Sequence, residues 1–207
     1  MSDSSVEFAS LLCSRLCHDL LSPVGAMNNG IELLADEQDP EMRERVIELL
    51  ADSARASADR LKFFRLAFGA GGGFGETLDA NEVKAAVEGL VRGNARITLG
   101  WMVEMPVIPK TAAKILLNLV MVAFDALVRG GTLDVGVEGS EVVVRSEGPR
   151  IVLDAEIREV LANGQGPVTS RTSAVWLTRR LADDAGGTVT LADGDEGVLL
   201  LGATLPG

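Results

Sequence analysis

A single histidine, His18, stands in the 207-residue chain, so any imidazole chemistry, nucleophilic or acid–base, is confined to one position. It lies in the run C-H-D-L-L-S-P, residues 17–23, and its neighbour Asp19 could orient the ring or accept its second N–H proton. An imidazole in an ordinary environment titrates near neutrality, which leaves a neutral nucleophile available at physiological pH. Cys13 and Cys17 are the only cysteines, and with His18 they spell C-x-x-x-C-H, one residue longer than the usual c-type haem attachment spacing. Zinc would need a fourth ligand and a histidine facing the same way. We expect packing thiols close to the apolar face of a helix, and no bound metal.

The residues around His18 dictate that helix. Phe8, Leu12, Leu16, Leu20, Val24, Met27, Ile31 and Leu34 recur every three or four positions, a single apolar stripe. At about 100° per residue His18 falls nearly opposite the middle of the stripe, so it should face water. Leu11 and Leu21 share that outer side, one turn away in each direction, with Ser14, Arg15, Ser22 and Gly25 between them. Apolar and small residues around an exposed nucleophile mark a docking surface. Pro23 cannot donate to the carbonyl of Asp19 and should distort the helix beside the histidine.

Ser4 with Glu7 forms a capping-box pattern, which starts the helix near residue 5; it runs to about Asp36. Asp39 as N-cap and Pro40 as first helical residue open a second helix, reaching about Phe68, with a stripe of Val46, Leu50, Ser53, Ser57, Leu61, Phe64 and Phe68. The connection is too short for anything but an antiparallel hairpin. One apolar face cannot complete a core alone, so we expect a homodimer with a four-helix bundle. The small-residue run 51–58 should lie level with His18 and keep the acceptor side uncluttered.

Residues 69–75, G-A-G-G-G-F-G, break the helical pattern. No G-K-[ST] follows and no strand precedes them, so they read as a linker and not as a P-loop. The organisation is a hairpin over 1–68, a glycine-rich linker over 69–78 and a second domain over 79–207. That domain shows a helix from Asp79 to Gly93, a strand over 97–104, and a long apolar helix from Lys110 to Val128. Two strands over 132–138 and 141–147 meet at Gly139 and Ser140, as in a tight hairpin. Helices over 154–163 and 173–184 and a last strand pair over 187–193 and 197–205 complete an α+β two-layer sandwich.

Composition sets limits. Hydrophobic residues make up 47% and charged residues 24%, ordinary for a soluble globular protein. A net charge of −11 lacks the basic footprint that nucleic acid or an anionic membrane surface requires. No signal peptide and no apolar run long enough to span a bilayer are visible, so a cytoplasmic protein is expected.

H-D-L-x-S-P on the first of two long helices resembles the phosphoacceptor motif of the histidine-kinase dimerisation domain. The element order after the linker resembles the ATP-binding domain of histidine kinases and related GHKL ATPases. Three nucleotide contacts of that family are absent. Where kinases carry an Asn-Ala pair holding Mg²⁺, the alignment places Val122 and Ala123, and valine cannot ligate a hard cation. The D-x-G-x-G box becomes Ser146, Glu147, Gly148, Pro149 and Arg150, and the later glycine box falls on Thr172 to Val175. A second alignment, slipped by one turn, makes Asn118 the magnesium ligand.

A dimerisation hairpin joined to a degenerate ATP domain resembles the ChpT-type histidine phosphotransferases. The resemblance implies that His18 accepts a phosphoryl group from the receiver domain of a hybrid histidine kinase and passes it to a CtrA-like response-regulator receiver. It implies no cofactor of the chain's own, with Mg²⁺ supplied by the receiver. Asp19 is then the catalytic partner of His18, and Arg15 could stand beside the phosphoryl oxygens or remain a solvated helix charge. Leu11, Arg15, Leu21, Ser22 and Gly25 would frame the receiver. Two other classes fit the same motifs: a divergent kinase that still autophosphorylates, and a scaffold or inhibitor that leaves His18 unused.

Overall fold

The computed structural model describes residues 2–69, 75–194 and 197–206. The expected linker glycines at 71–73 and the Ser4 side chain lie outside the described residues. Helix α1 spans Ser2–Asp36, so it begins ahead of residue 5. Helix α2 spans Pro40–Ala67, with Asp39 as N-cap accepting from the Glu41 N–H at 2.9 Å and Pro40 as first residue. The two pack as the antiparallel hairpin that the short connection requires.

Val46, Ser53, Ser57 and Phe64 of the expected α2 stripe are buried, whereas Leu61 is half exposed. A second apolar face on the same helix was not expected. Phe63, Leu66 and Ala67 are at most 1% exposed and pack into the core of the domain that follows. Fully burying a Phe or a Leu is worth about 1.5–3 kcal/mol, so the end of α2 belongs energetically to both parts of the chain.

That second part comprises β1 (Thr77–Asp79), α3 (Ala80–Arg92), β2 (Ile97–Val103), β3 (Val107–Pro109), α4 (Lys110–Ala126), β4 (Gly131–Glu138), β5 (Glu141–Glu147), α5 (Ala155–Asn163), α6 (Ser173–Asp184), β6 (Thr188–Asp193) and β7 (Val198–Thr204). Strands β1 and β3 pair antiparallel, with Leu78 and Ile108 buried, so the domain starts at Thr77, inside the span expected to be linker. Three-residue strands are too short to show an alternating pattern.

The main sheet has the order β2-β4-β5-β7-β6, with β2–β4 parallel and the other pairs antiparallel. Leu133, Val135 and Val137 of β4 and Val142, Val144 and Ser146 of β5 alternate into the helix layer, where α4 buries twelve of its 17 residues. This is the α+β two-layer arrangement. Glu138 pairs with Glu141 across the two-residue turn, and Gly139 takes φ +58°, the left-handed conformation that puts glycine first in a tight hairpin. Among the described residues no helix is long and apolar enough to cross a membrane.

Asp154 caps α5 by accepting from the Glu156 N–H at 2.9 Å and also receives Arg171 at 2.9 Å. The Arg171 bond, then the backbone N–H, holds its carboxyl below the ordinary aspartate value. A depressed folded pKa contributes stability above the unfolded value and loses it as pH falls through the folded one. Asp154→Ala should cost about 1 kcal/mol at neutral pH. Urea denaturation across a pH series should show the gap to wild type closing below about pH 4.

Candidate functional site

The site begins with a backbone defect. Pro23 sits inside α1 and leaves the Asp19 carbonyl without its helical donor. Arg60 of α2 fills the gap, its Nη1 donating to that carbonyl oxygen. The level of His18 on α2 is therefore Arg60, and the small-residue run 51–58 lies about a turn further along α1. There Ser53 and Ala56 line, with Ser22, Pro23 and Ala26, a cavity of about 590 Å³.

His18 is 83% exposed, as its phase on the helix requires. Its Nδ1 lies 3.1 Å from Asp19 Oδ1, and among the described residues nothing hydrogen-bonds Nε2. The other carboxylate oxygen of Asp19 accepts from Arg15 Nε at 2.8 Å, and Arg15 Nη2 donates to Asp125 Oδ2, on α4, at 2.6 Å. Arg15 is thus neither a solvated charge nor a member of the outer face. Its side chain is 15% exposed and turned inward between two carboxylates. Burial works against its charge, and Asp125 and Asp19 overcome that, raising the guanidinium above its ordinary value. Burial likewise pushes the Asp125 carboxyl up while Arg15 pulls it down, and the solvent reaching half of its side chain tempers the first effect.

These groups line a groove of about 570 Å³ together with Val122, Val152, Leu153, Asp154, Ile157 and Arg171. Of the expected docking residues, Leu21 is 68% exposed and Ser22 is exposed, while Leu11 and Gly25 are half-buried. Cys13 and Cys17 are both exposed. They lie with Val6, Val24 and Ile31 on a flank of the α1 stripe that α2 does not cover, which corrects their expected burial within a single chain. Sequence reasoning missed Arg60 and Asp125, whose roles depend on contacts far along the chain.

The family model for the histidine phosphotransferase C-terminal domain matches residues 80–197, more than half of the chain. The chain belongs to the histidine phosphotransferase family. It is 33% identical over 189 residues, 88% of each sequence, to protein phosphotransferase ChpT of Brucella abortus (strain 2308). It also matches a solved bacterial phosphotransferase with a TM-score of 0.83, at 30% identity and 96% coverage of each chain. The activity of this phosphotransferase is phosphoryl transfer within a phosphorelay.

The residues of its second domain do not fit a magnesium nucleotide. Val122 lines the groove with a hydrocarbon side chain. Asn118, the alternative ligand, is fully enclosed, and its Nδ2 donates to the Lys114 and Ala67 carbonyls at 2.8 and 3.3 Å. Its Oδ1 has no partner among the described residues, but the residue lines neither cavity. Ser146 is buried with its hydroxyl toward the Ala123 carbonyl at 3.4 Å. Gly148 is retained for packing: a Cβ there would meet the Gly130 carbonyl oxygen at 2.5 Å. Thr172, Ser173, Ala174 and Val175 are buried in the core, and the Thr172 hydroxyl donates to the Pro167 carbonyl at 2.7 Å. Calorimetric titration with Mg-ATP should show no saturable binding in the micromolar range; clear binding would overturn this reading.

Proposed function

We propose that this histidine phosphotransferase takes a phosphoryl group from the aspartyl phosphate of one receiver domain onto His18 and returns it to the aspartate of another. The observation that carries the reading is the environment of the ring: Nδ1 lies 3.1 Å from Asp19 Oδ1, nothing among the described residues hydrogen-bonds Nε2, and the exposed side chain lines the groove. With the ring proton on Nδ1, the Nε2 lone pair attacks phosphorus, the P–O bond to the acyl oxygen breaks, and the receiver carboxylate leaves. The return step reverses these bonds. Transfer of this kind is mainly positioning and charge neutralisation. Mg²⁺ and the remaining neutralisation of charge at phosphorus would come from the receivers, one carried by a hybrid histidine kinase and the other by a CtrA-like response regulator.

Leu21 and Ser22, beside His18 on the exposed side, and the apolar wall formed by Val152 and Ile157 offer the receiver a contact. An isolated exposed leucine is unremarkable, but Leu21 lies one turn from the nucleophile on the same helix. We further infer a homodimer. Val6, Val24 and Ile31 on α1 and Met42, Ile47, Leu49 and Leu61 on α2 are all at least 41% exposed, covered neither by the other helix nor by the second domain. A second copy would cover them as a four-helix bundle and would also shield Cys13 and Cys17.

In a radiolabel relay with a phosphorylated receiver, His18→Ala should accept no label while folding normally. Undiminished labelling of that variant would refute the reading, and labelling of wild type by ATP alone would favour a kinase. Ile31→Glu, at a position open in the single chain, should leave the fold intact and weaken the dimer, because the charge would be buried unpaired. Light scattering at micromolar concentration tests this. A monomeric wild type would remove the dimer from the proposal.

A further inference from the structure

Asp125 is not among the residues that touch the imidazole, and nothing in its sequence context, F-D-A-L, suggests more than a solvated carboxylate at the end of a helix. The structure gives it an unbroken connection to the nucleophile. Asp125 Oδ2 accepts from Arg15 Nη2 at 2.6 Å, Arg15 Nε donates to Asp19 Oδ2 at 2.8 Å, and Asp19 Oδ1 lies 3.1 Å from His18 Nδ1. From these contacts we propose that Asp125 is a positioning residue for phosphoryl transfer, acting on His18 through Arg15 and Asp19. The proposal rests on the reading of His18 as the phosphoryl acceptor.

The physical need is specific. Asp19 follows His18 directly on the helix, and a free carboxylate there could rotate to solvent as easily as to the ring. Arg15, one turn earlier, can hold Asp19 only if its own long side chain is fixed, and fixing an arginine costs rotamer freedom that a single exposed ion pair does not offset. A second carboxylate changes this. With Nε and Nη2 committed to two different acceptors, the planar guanidinium has one orientation in which both bonds form. Asp125 thus selects the Arg15 rotamer, Arg15 selects the Asp19 rotamer, and Asp19 holds the proton on Nδ1, which leaves Nε2 as the nucleophile.

Asp125 can serve because α4 is fixed against α1. The last turn of α2 is buried in the second domain, and at the other end of the contact Arg180 of α6 stacks on the Phe8 ring of α1 at 4.4 Å from its centroid. The groove beside His18 thereby supplies a carboxylate that reaches the acceptor histidine through Arg15 and Asp19. Val122 and Asp125 line that groove from neighbouring positions on α4.

The single histidine makes the test direct, since ¹⁵N-histidine labelling of the full chain reports one ring. Long-range ¹⁵N–¹H spectra should show the neutral wild-type ring with its proton on Nδ1. In Asp125→Asn, an isosteric change at a half-exposed side chain, the signals should shift toward the tautomer mixture of free imidazole. Acceptance of label from a phosphorylated receiver should fall by roughly tenfold to a hundredfold, with the melting temperature little changed. Asp19→Asn should produce a comparable loss, and adding Asp125→Asn to it should cost little more, because both act along one path. A wild-type tautomer and rate in Asp125→Asn would overturn the proposal. So would fully additive losses in the double variant, or a rate loss with an unchanged tautomer. The spectra need no phosphoryl transfer, so a wild type that accepts no label while its tautomer responds to Asp125→Asn would refute the acceptor reading and leave the positioning path standing.

Discussion

The arrangement depends on one packing constraint: the C-terminal turns of α2 lie in two structures at once. Phe64, on the stripe of the hairpin, joins Phe63, Leu66 and Ala67 in the core of the second domain, and the Ala67 carbonyl accepts a bond from Asn118 of α4. A continuous helix cannot serve both without fixing their relative orientation, and helices resist bending except at identifiable defects. The glycine-rich stretch after α2 thus follows a junction that is already set. Arg65 to Glu82 at 2.7 Å and Arg92 to Asp59 at 2.7 Å add ion pairs between α2 and α3. Both are largely exposed on the arginine side and contribute little beside the buried aromatic and aliphatic groups.

With that orientation set, the defect at Pro23 becomes useful. A proline inside a helix leaves one carbonyl without its internal donor, and here the carbonyl is that of Asp19. An unpaired buried carbonyl would be costly, so a donor from outside the helix is strongly favoured. Arg60 supplies it. The same residue is therefore held at its backbone by α2 and at its side chain by Arg15, and it is the residue next to His18. Restraint of Asp19 from two directions is what distinguishes this site from a histidine merely exposed on a helix.

The long elements could be read from the sequence because each carries enough turns or alternations for its period to show. The stripe on α1, the caps at Asp39 and Asp79, the β4–β5 hairpin and the exposure of His18 all follow from local spacing. What could not be read depends on partners far along the chain. Arg15 and Asp125 are 110 residues apart, and each alone has the appearance of a surface charge. Phe63, Leu66 and Ala67 give α2 a second apolar face whose purpose is evident only when the second domain is in place. Strands β1 and β3 have three residues each, too few for a pattern, and their pairing moves the start of the domain into the stretch that glycine content marks as linker.

The second domain spends its buried polar side chains on internal bonds. A nucleotide site requires polar groups held out of the core, their hydrogen-bonding capacity unspent until the ligand arrives. Here that capacity is consumed internally: Thr172 by the Pro167 carbonyl, Ser173 by Ser170, Ser146 by Ala123, and Asn118 Nδ2 by two carbonyls. Each of these bonds spares a buried donor the cost of going unsatisfied and adds a small increment of stability, with Asn118 Oδ1 left unpaired among the described residues. Rigidity serves a protein whose second domain must hold one arginine in place beside one histidine. Asp125 stands on α4, twelve of whose 17 residues are buried, and that packing is what keeps its carboxylate 2.6 Å from Arg15.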